Sequence, residues 1–337
     1  MNFLERVSFA SRLAITLVLA ITSATAADFQ YFRIGNKADA AVPAANGIAM
    51  LGGGADLDEA FQWLCAKAPG GDFLVLRARG DDDYNPYVQK LCHLNSTATL
   101  IIPDRDAAQN PQVSDTILHA EILFIAGGDQ ARYLNFWKDT PVQQAINAHL
   151  AAGKPIGGTS AGLAVLGEFV YSAQGDAPDD KDLNSPQTLA NPFHPRVTVR
   201  RDYLHNPLLV NTLTDSHFAK RDRMGRTLVF LARIMQDGWS QHPREIAIDE
   251  KSGVLVEADG KASVVGTGKG AYFLRPTEAP AVCEPNKPLT FANISVFRAP
   301  AGAHFDLNQW KGDGGTAYSL SVNAGKITST QPGGAIY

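Results

Sequence analysis

The sequence predicts an α/β fold: a three-layer sandwich in which helices cover both faces of a mostly parallel central sheet, with a β-rich C-terminal extension. Three observations predict it. Short apolar runs of strand length alternate with helical patterns from about residue 46 to residue 160. The runs are continuously apolar, as strands buried on both faces are. Several of them end in glycine pairs or triplets, where a chain leaves a sheet and turns. Such a succession implies right-handed crossovers between parallel strands.

In chain order, the first strand is expected over 47–51, running into Gly52-Gly53-Gly54. Residues 57, 60, 61, 64, 65 and 68 are apolar at 3.6-residue spacing and predict an amphipathic helix opening near Asp56. Strands follow over 73–76, over 99–102 closed by Pro103, and over 122–126 ending at Gly127-Gly128, with a helix over 87–94 between the first two. A helix over 141–152 leads to a short strand at Pro155-Ile156 and then Gly157-Gly158. The Pro-, Asn- and Asp-rich stretch 176–207 reads as a long excursion. A helix over 221–235 and a strand over 245–248 come next; beyond Gly253 short strands and turns run through 254–257, 262–265, 271–274, 318–322 and 326–330. The expected organisation is a leader over 1–26, a hydrolytic α/β domain over 27–265 and a β-rich extension over 266–337 packed on it.

The 337 residues, 45% hydrophobic and 19% charged, are those of a globular chain able to bury a large core. A net charge of -4 offers no basic footprint for nucleic acid or an anionic membrane. Arg6 and Arg12, an apolar run over 13–21 and then Ala24-Thr25-Ala26 have the three parts of a secretory signal peptide. The run is shorter than the ~20 residues that span a bilayer. The expectation is an exported protein, secreted or periplasmic, with no membrane attachment after cleavage. In such a compartment Cys65 and Cys92 are the preferred bridged pair, leaving Cys283 over; three buried thiols are the alternative.

The strongest chemical signal is Gly158-Thr159-Ser160-Ala161-Gly162 between a strand and an apolar helix. A nucleophile on so sharp a turn needs glycines around it, and the following helix start offers unpaired N–H groups to an oxyanion. A structural Gly/Ser turn is the alternative. A second strand ends in Gly127-Gly128-Asp129-Gln130, where the Gly128 N–H can complete an oxyanion hole with that of Ala161; Asp129 reads equally as a helix cap. His217, in Asp215-Ser216-His217-Phe218, is the candidate base. Glu250 is a candidate to orient it, with Asp249 its rival, and spacing does not choose between them. Arg221, Arg223 and Arg226 form either a solvated helix face or a cationic pocket for a substrate carboxylate.

Taken jointly, Gly-Gly-Asp-Gln at 127–130, Gly-Gly-Thr-Ser-Ala-Gly at 157–162, Asp-x-His-Phe at 215–218 with its trailing arginines, and Ile-Asp-Glu at 248–250 resemble the cyanophycinases. Those are grouped with aspartyl dipeptidases among serine peptidases whose fold is like that of the class I glutamine amidotransferases. The resemblance, spanning roughly residues 49–265, implies Ser160 as nucleophile, His217 as base and Glu250 as its orienting acid. It further implies an oxyanion hole at Gly128 and Ala161, and a substrate pocket formed by Gln130, Asp215, Ser216, Arg221, Arg223 and Arg226. Cyanophycinases usually carry glutamine at the position of Ser216, which leaves the substrate open. The implied reaction releases β-Asp-Arg dipeptides from cyanophycin with no metal or cofactor. An aspartyl or isoaspartyl dipeptidase and a non-catalytic peptide-binding relative are the alternatives. A homodimer is expected only by analogy of fold.

Overall fold

The computed structural model describes residues 28–175 and 183–337. The expected leader and residues 176–182 of the expected excursion lie outside the described residues.

Five strands form a parallel block: β2 (Gly47–Leu51), β3 (Asp72–Arg77), β4 (Ser96–Ile101), β5 (Ile122–Ile125) and β6 (Ile156–Thr159), in the spatial order β4-β3-β5-β6-β2. β1 (Gln30–Gly35), which the sequence reading left out, pairs antiparallel with β4 at the outer edge. Beyond β2 the same sheet continues antiparallel through β11 (Ser252–Glu257), β12 (Lys261–Gly266), β15 (His304–Asp306) and β16 (Lys311–Asp313). The expected mostly parallel sheet is therefore parallel only at its centre, and the ten-stranded whole is mixed. The reason is the length of the connections. Parallel neighbours need crossovers of a dozen or more residues, whereas β11 and β12 are joined only by Ala258-Asp259-Gly260.

A second, six-stranded sheet has the order β18 (Lys326–Ser329), β17 (Thr316–Asn323), β14 (Phe291–Ala299), β13 (Ala271–Pro276), β10 (Arg244–Ile248), β9 (Thr212–Asp215), and only β9 and β10 run parallel. β7 (Val170–Tyr171) and β8 (Val199–Arg200) make a small separate pair. The C-terminal strands are thus hydrogen-bonded into both sheets as well as packed on them.

Helices α1 (Asp58–Cys65) and α2 (Tyr84–Leu91) bury Phe61, Leu64 and Val88 against Phe73, Val75 and Phe124 on one face of the parallel block. α3 (Pro111–His119), missed in the sequence, and α5 (Pro141–Ala151) bury Ile117 and Ile146 against Leu74, Leu76 and Leu123 on the other. Strand residues alternate between the two cores, as a pleat requires. Each fully buried side chain of this size contributes roughly 1.5–3 kcal/mol. α4 (Gln130–Trp137), also missed, starts where the Asp129 carboxylate accepts the Ala131 N–H. Short α6 (Ala161–Ala164) follows β6, and α7 (Ser185–Ala190) lies within the expected excursion. α8 (Met224–Gln236) covers the second sheet through Leu228 and Leu231 against Leu213 and Leu274. It begins three residues later than expected, because His217 and Asp222 adopt positive φ and hold the preceding segment as a loop.

Cys65 and Cys92 are joined, tying the end of α1 to the residue after α2, while Cys283 is buried as a thiol pushed up to about 11 by burial. Replacing both bridged cysteines by serine is expected to cost about 3 kcal/mol, given the 27-residue separation. A fall in the urea midpoint, with a slope that is steeper because the unfolded chain without its crosslink exposes more surface, checks it.

Candidate active site

Four strand ends from the two sheets converge on one point. Ser160 stands between β6 and α6 at φ 53°, ψ -116°, a backbone state that costs a non-glycine residue about 1–3 kcal/mol. Its N–H donates to the Leu51 carbonyl of neighbouring β2 at 3.1 Å, which helps hold the turn. The flanking glycines are required by space. A Cβ on Gly162 would lie 1.9 Å from the Ile125 carbonyl oxygen, and one on Gly158 would lie 2.6 Å from that of Gly162.

His217 arrives from the end of β9, with φ 47° and its N–H donating to the Gly52 carbonyl at 2.8 Å. Its Nε2 lies 2.7 Å from Ser160 Oγ, and its Nδ1 lies 2.7 Å from Glu250 Oε1. The rival carboxylate faces elsewhere: Asp249 accepts the Lys220 N–H at 2.8 Å. The sequence reading missed the surface on which this relay rests. Gly53, at φ 90°, passes so close that a Cβ there would lie 2.5 Å from His217 Cε1, and Gly54 likewise would meet Glu250 Cβ at 3.2 Å. The triplet of glycines at the end of β2 was the available signal.

Beside Ser160 opens a cavity of about 570 Å³ lined by Gly128, Gln130, Ala161, Ser216, Arg221, Arg223 and Arg226, among others. Gly128 takes φ 147°, and Ala161, first in α6, has an N–H with no intrahelical acceptor. Asp215 is placed differently from the expected pocket residue. It is buried behind the arginines, bound in a fork by Arg226 at 2.6 and 3.0 Å and reached by Arg223 at 3.2 Å. Burial alone would raise its carboxyl, but Arg226 and Arg223 together hold it below the ordinary value. Arg226 is itself buried, 4.9 Å from the Tyr171 ring, and its head is committed to Asp215. Arg221 is the exposed member of the set. Asp129 is the helix cap described above.

Burial lowers the His217 imidazole below its ordinary value, with Arg221 and Arg223 acting the same way and the Glu250 bond opposing them. The Glu250 carboxylate is held low, chiefly by its bond to His217. The ring is therefore neutral at pH 7 and able to accept a proton. If His217 is the base, activity falls as pH drops through its pKa, so the acid limb of kcat/KM lies below about 6.5. Arg221→Ala removes a repelling charge and moves that limb up; Glu250→Gln removes the carboxylate that favours the imidazolium and moves it down. A pH–rate series on the three proteins checks the signs.

Residues 79–200 match the family described as Peptidase family S51, a span that includes Gly128 and Ser160 and stops short of His217 and Glu250. The chain is 29% identical over 219 residues to the cyanophycinase of a Nostoc species, covering 62% of this chain and 65% of that protein. It is 27% identical over 217 residues to the cyanophycinase of Thermosynechococcus vestitus, covering 62% and 59%. The chain thus spans less than two thirds of the length of these relatives. A solved peptidase from an acI-B1 actinobacterium aligns over 86% of this chain and 98% of that one, at a TM-score of 0.45 and 16% identity. The chain is similar to the cyanophycinases and carries the pattern of peptidase family S51 across its central segment.

Proposed function

We propose that the chain is an exported serine-type exopeptidase that hydrolyses cyanophycin to β-Asp-Arg dipeptides through an acyl-enzyme on Ser160. The observation that carries this reading is the relay of two 2.7 Å contacts from Ser160 Oγ through His217 to Glu250, opening on an arginine-lined cavity. Ser160 Oγ attacks the scissile carbonyl carbon while its proton passes to His217 Nε2. Glu250 accepts a hydrogen bond from Nδ1–H and stabilises the imidazolium. The N–H groups of Gly128 and Ala161 receive the developing oxyanion. The imidazolium then protonates the leaving amine, and water, deprotonated by His217, releases the acyl group. This chemistry uses neither metal nor organic cofactor.

Arg221 and Arg223 suit a substrate carboxylate at the cavity wall, and Gln130 lies beside the nucleophile. The fold is read as that of the class I glutamine amidotransferases with serine in place of cysteine at the elbow, which disfavours ammonia transfer. The Cys65–Cys92 bridge supports an oxidising compartment and hence export by a leader over 1–26. Ser216 favours one second reading. It lines the cavity where cyanophycinases usually have glutamine, and the shorter side chain suits a different aspartyl or isoaspartyl peptide.

Purified protein incubated with insoluble cyanophycin and with Asp-X dipeptides, beside a Ser160→Ala control, separates the two. Ser160-dependent release of β-Asp-Arg is the expected result. Cleavage of Asp-X alone assigns the second substrate, and inertness toward both contradicts both.

A further inference from the structure

The segment that carries Arg221 and Arg223 is gripped from outside the site, by a residue of the C-terminal β-rich region. Tyr337 Oη accepts the Met224 N–H at 2.9 Å and donates to Asp222 Oδ1 at 2.9 Å. Asp222 lies between the two arginines and takes φ 48°, so its backbone is held in the left-handed region. From the other side Ser185 donates to the Asp222 carbonyl at 2.6 Å and accepts the Gly225 N–H at 3.0 Å. The Tyr337 ring packs edge-on against Phe218, the residue after His217, and against Tyr272, with centroids 5.7 and 5.9 Å away. Tyr337 is anchored in turn through the residue before it, since Tyr318 donates to the Ile336 carbonyl at 2.9 Å.

We propose that Tyr337 is a positioning residue for substrate binding, its hydroxyl holding Asp222 so that Arg221 and Arg223 fork around a substrate carboxylate. A left-handed residue with an ordinary side chain returns to commoner backbone states unless neighbours over-determine it. The Tyr337–Asp222 bond supplies one such restraint and Ser185 the other. The hydroxyl acts on the arginines and the ring acts on the Phe218 side, so the two parts of one side chain serve different kinetic terms. The inference rests on the proposed reading of the arginines as carboxylate ligands.

The test compares the unaltered protein with Tyr337→Phe, which keeps the ring and deletes the hydroxyl. Two serine-directed aryl phosphonates serve as probes, one bearing a carboxylate and one its uncharged methyl ester. Faster labelling by the carboxylate probe is expected in the unaltered protein. In Tyr337→Phe that preference falls roughly 3- to 10-fold, the scale of one net hydrogen bond, with the neutral probe's rate within twofold, while the melting temperature falls because the buried Met224 N–H loses its acceptor. Asp222→Ala, which removes the carboxylate that the hydroxyl holds and leaves the left-handed backbone unfavoured, gives at least the same loss, and the double variant loses no more than Asp222→Ala because both act through one bond. A preference retained in Tyr337→Phe, or a loss shared equally by both probes, overturns the positioning role alone. Absence of any preference in the unaltered protein overturns it together with the reading of the arginines.

Discussion

Replacing Ser160 by alanine is expected to lower kcat on the peptide substrate by roughly 10⁴- to 10⁶-fold, as loss of the nucleophile does in serine hydrolases. Binding should change little if, as proposed, the arginines and Gln130 contact the substrate independently of the hydroxyl. The same position permits a sharper experiment. At φ 53° the residue holds strain that a glycine would not feel. Ser160→Gly should therefore be equally inactive yet more stable than the alanine variant by about 1 kcal/mol. Steady-state kinetics and urea unfolding of the two variants together show whether the strain at the turn is retained for placing Oγ. Equal stability of alanine and glycine there would contradict that account of the turn.

Gly53→Ala is expected to have the next largest effect, although Gly53 contributes no functional group. Its Cβ would lie 2.5 Å from His217 Cε1 and 2.7 Å from Nε2, and its φ of 90° is unfavourable for alanine. The imidazole must give way, and it is the atom facing Ser160 that is crowded. A displacement of about 1 Å in a catalytic group costs on the order of 10²-fold, so kcat should fall by at least that much. Gly70→Ala is the control: its φ is 74°, but a Cβ there meets nothing within 4 Å. Both variants should lose stability through the backbone, and only Gly53→Ala should lose activity. Comparable activity losses in the two would point to general loosening and away from the His217 contact.

These two positions also show what could and could not be read from the chain. The turn at Ser160 was legible because its requirements are local: glycines two residues to either side, a strand before and a helix after. Gly52-Gly53-Gly54 was visible as the end of a strand, yet its purpose depends on His217 and Glu250, which lie more than 160 residues further on. The choice between Asp249 and Glu250 was equally non-local. Adjacent residues diverge as the chain leaves β10, and only the Lys220 N–H that engages Asp249 separates them. Asp215 was grouped with the pocket by the resemblance alone, but it ends a buried strand, where a carboxylate must be met by the arginines.

The sheets divide in the same way. The parallel block announced itself through apolar runs spaced by helices. After Gly253 the strands are linked by short turns, and alternation alone does not say which of two sheets a hairpin strand will join. That β13 extends the second sheet while β15 extends the first is decided by packing across the molecule. β1 and the helices α3 and α4 were passed over for a simpler reason. Their apolar stripes are short, and the Asn110 cap that starts α3 is a single residue easily taken for loop, while the Asp129 cap was one of two alternatives and was read without the helix it begins.

The central claim is that His217, held by Glu250, activates Ser160. Reaction of the native protein with a fluorophosphonate, followed by peptide mass mapping, tests it most directly. The account predicts a single adduct on Ser160, forming far more slowly in His217→Ala and slowing at acid pH as the imidazole takes up its proton. An adduct on another residue, or Ser160 labelled as fast without His217 as with it, would contradict it.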